Sequence, residues 1–300
     1  MRILICVDDT DDLTKETSTG KIADAIAQAA AEEGARLIRG VTRHQLLLSD
    51  QIDYTSHNSS MCMELETELP LPRLQSTAEA VLRRSMSAAS DPGLCFCRPD
   101  QLRDADRLLA FGRRAQHEVL TQREAYDTAA AIGGTELKAY GGDGSGVIGA
   151  LAGCGLRLSG SDGTMRGGKG SEFAGKTLTV REWKQTKMGI EQVVDFDGNL
   201  LADDVPVSVD ERLKLAYLDH RVTLVARSCD GALIACTKND LYHGDRRIHH
   251  WQKPCDAFTV DNDLEECWSE GEAACWNCLY RRWTEDGYRC VRDGGAAADI

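Results

Sequence analysis

The feature that most constrains this chain is a run of acid set directly behind an apolar strand. Ile3-Leu4-Ile5-Cys6-Val7 is an unbroken apolar stretch, and Asp8, Asp9, Asp11 and Asp12 follow it with only Thr10 interposed. Crowded carboxylates repel one another, and a hard cation such as Mg²⁺ relieves that repulsion through oxygen ligands. Thr17-Ser18-Thr19-Gly20-Lys21 then opens a segment in which Ile22, Ala23, Ile26, Ala27 and Ala30 recur at helical spacing, predicting a helix from Thr19 to Glu33. A helix start offers free N–H groups and the positive end of its dipole to a phosphate. Acid for a metal and a helix start for phosphate together point to a nucleotide site. The plainer alternative is a solvated acidic loop in which Ser18 or Thr19 merely caps the helix. The segment is not a Walker A loop, because its first glycine is missing and Ile22 stands where Ser or Thr belongs.

Composition narrows the classes. The chain has 300 residues, 42% of them hydrophobic, and a formal charge of −13, which fits a globular protein of about two domains. The acidic balance argues against nucleic-acid binding in general, since phosphate neutralisation by Lys and Arg supplies most of that affinity. Any RNA contact would need a local basic patch. No apolar run reaches the ~18 residues of a membrane span, and the N-terminus reads as a strand running into acid rather than a signal peptide. No membrane partner and a cytoplasmic location with reduced thiols are therefore expected. Cys6, Cys62, Cys154, Cys229 and Cys236 sit in apolar runs, where free Cys behaves as a small hydrophobe.

Along the chain, strands are expected at residues 2–7, 36–41 and 60–69, the last half-buried by its alternation and ended by Pro70 and Pro72. Helical segments are expected at 76–89 and 99–131. The sequence then turns glycine-rich from Gly133 to Gly170, with an apolar helix over Val147 to Cys154. Beyond Phe173 it reads as strand pieces at 177–183, 192–195, 221–225 and 232–237. Alternating strand and helix place the chain in the α/β (α+β) class, with a domain boundary near residue 172.

Two further constellations could carry chemistry. Gly141-Gly142-Asp143-Gly144-Ser145-Gly146 leads into the Val147 helix, and such a loop is either a phosphate or ribose cradle or a tight turn with close helix packing. Its partnership with the acidic loop favours the cradle. The last fifty residues hold five of the twelve cysteines and four of the five tryptophans. One C-x₂-C pair, Cys275 and Cys278, with Cys267 and Cys290 as further ligands and Cys255, His243, His249 and His250 nearby, could bind Zn or an Fe–S cluster. A Cys- and Trp-rich core and a redox dithiol remain the alternatives.

Taken together these pieces resemble the archaeal synthetases that attach agmatine to the wobble cytidine of an isoleucine tRNA, the TiaS family. That family has a strand, a D-D-T-D signature and a Cys-Thr-Thr segment beginning a helix; Asp8-Asp9-Thr10-Asp11 and Thr17-Ser18-Thr19 stand at those places. The family's aromatic-Lys-Thr-Arg-Gly-Asn-Gly-Ala segment is partly answered by Tyr54 to Ser60, which keeps Thr55 and Asn58 but not the Arg or the glycines. Its Gly-Asn-Gly-Arg-Gly-Leu-Ile-Gly-Ala-Leu-Ala segment is matched from Gly142 to Ala152 at eight of eleven positions, with Ser145 in place of Arg.

The resemblance implies a kinase-like ATP-binding domain over 1–172 and a ferredoxin-like domain with a Cys/Trp-rich tail over 173–300, without room for the family's OB-fold and zinc ribbon. It implies ATP and Mg²⁺ as cofactors, with Asp8, Asp9 and Asp11 at the metal and Ser18 or Thr19 near the transferred phosphoryl group. Thr10, Lys21, Asn58, Gly142, Asp143, Gly144 and Gly146 would hold the nucleotide. The implied activity is phosphoryl transfer, of kinase or ligase type, to a small-molecule or nucleotide acceptor. The alternatives are a non-catalytic nucleotide- or ligand-binding module of the same fold, and a tRNA-modifying enzyme relying on a separate RNA-binding partner. A redox or metal protein built on the C-terminal cysteines is a fourth reading.

Overall fold

The computed structural model describes residues 1–12, 17–55, 57–167, 170–210, 212–242, 258–259, 278–284 and 287–291. The chain divides into two compact units, Met1–Leu158 with Arg247–Ile300, and Ser159–Arg246. The change of texture near residue 172 thus falls inside the second unit.

The first unit is built on β1 (Arg2–Asp8), α1 (Thr19–Glu32), β2 (Arg36–Leu37), β3 (Thr42–Gln45), β4 (Ser59–Glu66), α2 (Leu71–Ser85), β5 (Gly93–Cys97), α3 (Ala105–Arg114), α4 (Gln122–Ile132), β6 (Thr135–Ala139) and α5 (Val147–Ser159). Its strands run in the order β6-β5-β1-β4-β3, with β2 also on β4. Every pairing among them is antiparallel, with Cys6 opposite both Cys62 and Cys95.

Period-two alternation sorts the β1 side chains between two cores. Ile3, Ile5 and Val7 face α1 and α2 together with Met61, Met63, Leu94 and Phe96. Leu4 and Cys6 face α3, α4 and α5 together with Cys62, Cys95 and Cys97. With helices on both faces, β4 is buried through six successive residues rather than half-buried as its alternation suggests. The row of thiols is the space-saving solution on the α5 side. A Cβ added at Gly153 would lie 2.4 Å from Cys6 Sγ and 2.5 Å from Ser60 Oγ, so α5 lies close enough on the sheet to demand small residues on both surfaces.

Several elements differ from expectation. Residues 36–41 form only the two-residue β2, and the neighbouring true strand is β3. Pro70 and Pro72 end β4 but also begin α2, as N-cap and first-turn residue, so the helix starts before Ser76. The single helical segment at 99–131 is α3 and α4, separated at 115–121. Gly93–Cys97, to which no element is assigned from sequence, and Thr135–Ala139, inside the glycine-rich stretch, are the strands β5 and β6.

The second unit contains β7 (Thr164–Met165), β8 (Thr177–Thr179), α6 (Val180–Gln185), β9 (Gln192–Asp195), β10 (Pro206–Ser208), β11 (Leu215–Leu218), β12 (Arg221–Cys229), β13 (Ala232–Ala235) and α7 (Lys238–Tyr242). Its strands run β7-β11-β12-β13-β10-β8, with β9 parallel to β12. Trp183 is fully buried at its centre, with Nε1 donating to the Val207 carbonyl at 3.1 Å. The segment 177–183, read as one strand, turns into α6 at Val180 because Thr179 and Glu182 form a capping box.

The hairpin β14 (Arg281–Thr284) and β15 (Gly287–Cys290) belongs to the first unit. Of the expected C-terminal metal ligands, Cys267 and Cys275 lie outside the described residues, as do Cys255, His243, His249 and His250. Cys278 is buried, and Cys290 ends β15 opposite Arg281. No helix among the described residues is long and apolar enough to cross a membrane.

Candidate functional site

One end of the first unit's sheet gathers the carboxyl ends of β1 and β3, the amino end of β4 and the starts of α1 and α5. There a cavity of about 300 Å³ opens, lined by Asp8, Asp9, Asp11 and Thr19 from the acidic loop and helix start, and by Asp143, Ser145, Gly146, Ile148 and Gly149 from the glycine loop. Leu46 and residues 51–55 and 57–59 of the β3–β4 connection close a second side, and residues 115 and 118–120 between α3 and α4 a third.

Asp8 ends β1 between β4 and β5 and is 8% exposed. Burial, then the neighbouring carboxylates Asp9 and Asp11, pushes its carboxyl well above the usual range. Asp9 adopts the left-handed conformation at φ +55°, which lets the chain leave the sheet at once. Its carboxyl is pushed up to about 7, first by burial and then by Asp91, Asp11, Asp53 and Asp143.

Thr19 is the hub of the helix start. Its Oγ1 donates to Asp11 Oδ1 at 2.8 Å and accepts from Thr10 Oγ1 at 3.1 Å and from the Thr10 N–H at 3.4 Å. Thr10 itself is fully buried, so it braces the loop rather than lining the cavity. Ser18 is the N-cap of α1, with its Oγ accepting from the Lys21 N–H at 3.3 Å. Neither Ser18 nor Lys21 belongs to the lining. Of the two hydroxyls that sequence offered beside the phosphoryl group, Thr19 is the one in the cavity wall.

The glycine loop and the acidic loop meet as expected, but the loop's amides are already engaged. The Gly146 N–H donates to the Asp91 carbonyl at 3.0 Å, the Asp91 carboxylate takes the Asp143 N–H, and the Ser145 N–H donates to Asp143 Oδ1 at 2.7 Å. Gly142 and Gly144 lie outside the lining, whereas Asp143 and Gly146 are in it. Asn58 is in the wall, and its Nδ2 donates to the Leu47 carbonyl at 2.8 Å, closing the base of the β3–β4 connection.

Sequence reasoning missed Glu118 and Asp53, and left Tyr54 and His57, which stand in the segment partly matched to the family, without a role. Nothing in the local sequence marks Glu118 or Asp53, because topology brings their segments to the acidic loop. Among the described residues the lining holds six carboxylates, Asp8, Asp9, Asp11, Asp53, Glu118 and Asp143, and no lysine or arginine.

Among the described residues no three His, Cys, Asp or Glu side chains form a ready metal-binding group. This does not conflict with Mg²⁺, which is ordinarily held by one or two carboxylates together with substrate phosphates rather than by an all-protein cage. The donor set is all oxygen, and two of its carboxyls are held above their usual range, first by burial and then by neighbouring carboxylates, so the residues fit a hard cation.

The sequence matches no protein-family model and no curated protein. Among solved structures it is similar to a tRNA fluorescent labeling enzyme, at 23% identity and TM-score 0.46, over 52% of this chain and 36% of that one. It is similar to TiaS, the tRNA agmatidine synthetase, in its apo form, at 22% identity and TM-score 0.46, over 52% and 35%. The complex of TiaS with its isoleucine tRNA and ATP matches at 23% identity and TM-score 0.46, over 52% and 36%. The match thus spans about a third of the length of those chains.

Proposed function

We propose that the first unit binds ATP as its Mg²⁺ complex in the cavity at the end of β1 and transfers a phosphoryl group to a small-molecule or nucleotide acceptor. The observation that carries the reading is the joining of the acidic loop, Thr19 and the glycine loop in one cavity whose wall gathers six carboxylates among the described residues. Six carboxylates repel a free polyphosphate, whereas a metal complex brings a cation to them. ATP is the nucleotide to test because of the motif resemblance in the acidic and glycine loops.

Asp8, Asp9 and Asp11 would hold the metal, which when bound neutralises phosphate charge and the repulsion among these carboxylates. The chain's own residues do the rest. Asp11 fixes the Thr19 hydroxyl through the 2.8 Å hydrogen bond, and the buried Thr10 holds Thr19 from behind, so that hydroxyl has one orientation at the cavity wall. Ser145 Oγ lies 3.5 Å from Asp9 Oδ2 and ties the glycine loop to the acidic loop. Leu46, Ile52, Val119, Leu120 and Ile148 supply an apolar side that excludes water from the reacting end.

Calorimetric titration of metal-stripped protein with ATP, with and without Mg²⁺, tests the reading against an Asp8→Asn/Asp9→Asn double variant. Binding that needs Mg²⁺ and is lost in the variant supports it; no binding in any condition defeats it. Ser145, which stands where the resembling family carries Arg and lies in the cavity wall, favours a second reading, a binding module without turnover, since phosphoryl transfer ordinarily uses a basic side chain on the developing charge. Sustained phosphate release above that of the variant excludes this second reading.

A further inference from the structure

We infer that Arg282, in the C-terminal hairpin, is a positioning residue for the cavity, and that the hairpin is thereby part of the ligand site. The inference rests in part on the proposed nucleotide site, because it assigns the hairpin a role in that same cavity. Residues 52–54 form a stretch of cavity wall in an otherwise irregular connection between β3 and β4. A wall of that kind has no strand ladder to hold it and needs contacts from elsewhere.

Arg282 makes contact with three consecutive residues of it. The guanidinium lies over the Tyr54 ring with its central carbon 4.0 Å from the centroid. One terminal nitrogen donates to the Ile52 carbonyl. The other lies 3.9 Å from Asp53 Oδ1. The planar, rigid guanidinium is suited to combining a stacked face with in-plane hydrogen bonds, which an ammonium cannot do at once. The Arg282 side chain is only 12% exposed, so water competes weakly for these contacts. Asp53 itself is open to solvent, so its ion pair adds little, and the ring and carbonyl contacts carry the positioning.

Arg282 also stands outside the lining while one of its partners, Asp53, is among the carboxylates inside it. The cation is therefore behind the wall, where it fixes the wall's shape and partly offsets its charge without occupying the ligand's space. Among the described residues, the C-terminal hairpin thus reaches the cavity at the loop carrying Tyr54.

The test uses the full chain with Arg282→Ala, Arg282→Lys and Tyr54→Leu, and two readouts. Hydrogen exchange of the 51–55 amides, measured without ligand, is expected to speed up about tenfold in Arg282→Ala, the equivalent of one partly desolvated cation–ring contact. Exchange in β1 and β4 should not change, and Arg282→Lys should resemble the alanine variant more than the wild type. Mg²⁺–ATP affinity should fall in Arg282→Ala and in Tyr54→Leu, with less than the summed loss in the double variant. Unchanged exchange at 51–55 in Arg282→Ala, or fully additive losses, would overturn the inference. If wild-type protein fails to bind Mg²⁺–ATP, the nucleotide reading fails alone, because the exchange measurement judges the clamp without ligand. Should Arg282→Ala fail to fold, Tyr54→Leu removes the same contact from the other side, and its exchange at 51–55 decides the matter in the same way.

Discussion

Two backbones approach closely beside the candidate site, and a single methyl group tests that contact. Gly93 begins β5 opposite Asp8, and a Cβ placed on it would lie 2.1 Å from the Gly146 carbonyl carbon, 2.2 Å from its oxygen and 2.3 Å from the Val147 nitrogen. A carbon contact needs about 3.5 Å, so Gly93→Ala falls short by roughly 1.4 Å against atoms that have no rotamer to escape into. Either β5 leaves its register beside β1 or the glycine loop and the start of α5 move away from the acidic loop. Overpacking of this kind costs ~1–3 kcal/mol or more, set against ~0.4–1 kcal/mol gained from a stiffer unfolded chain. A net loss of about 2 kcal/mol lowers Tm by roughly 4–8 °C for a unit of this size. Gly141→Ala is the matched control in the same loop, because its Cβ would meet nothing nearer than 3.4 Å. It should leave Tm within about 2 °C of wild type. Thermal unfolding and the Mg²⁺–ATP titration on both variants decide the matter. The reasoning is refuted if Gly93→Ala is as stable as Gly141→Ala and binds ligand equally well.

The electrostatic strain of the acidic loop should be visible as a pH dependence. Asp9 is raised from 3.8 to about 7, so the stability its protonated form confers is complete below pH ~3.8 and lost as pH rises through about 7. Asp9→Asn, which tolerates the positive φ, should therefore stabilise cation-free protein by about 2 kcal/mol at pH 8 and by little at pH 4; denaturant titrations showing the same gap at both pH values would contradict this. The two helix-start hydroxyls should separate cleanly. Ser18→Ala should cost about 1 kcal/mol of stability through loss of the cap with ligand affinity retained, whereas Thr19→Val should spare much of the stability and abolish Mg²⁺–ATP binding or turnover; equal loss of binding in both would remove the distinction drawn between them.

Physical signal strength explains which elements could be read from sequence. β1 and α1 carry apolar periods unmixed with anything else, and both appear where expected. β3 does not, because its residues are Thr42, Arg43, His44 and Gln45, yet the first three are 0–2% exposed. Their polarity is absorbed locally: Thr42 Oγ1 donates to the Cys62 carbonyl at 3.1 Å, and Arg43 Nη2 donates to Gln45 Oε1 at 3.0 Å. Hydropathy does not register a polar strand whose side chains bond within the sheet in this way. The break between α3 and α4 did leave a trace, since Thr121 and Glu124 form a capping box at the new helix start. That local signal was outweighed by the long helical pattern around it.

The site divides along the same line. Its acidic loop and glycine loop are contiguous motifs, and the chemistry they advertise, carboxylate crowding and close backbone approach, is local enough to be read before folding. The walls are not local. Glu118 comes from between two helices, Asp53 and Tyr54 from a loop, and Arg282 from a separate hairpin more than two hundred residues further on, and only the tertiary fold brings them to the end of β1. Their arrival changes the chemical meaning of the motifs. A helix start and a glycine loop alone suggest an anion cradle, but the Asp143 and Gly146 N–H groups are held by Asp91, and the described wall brings six carboxylates together. A cavity so built attracts positive charge first, so whatever anion it accepts must arrive with its own cation.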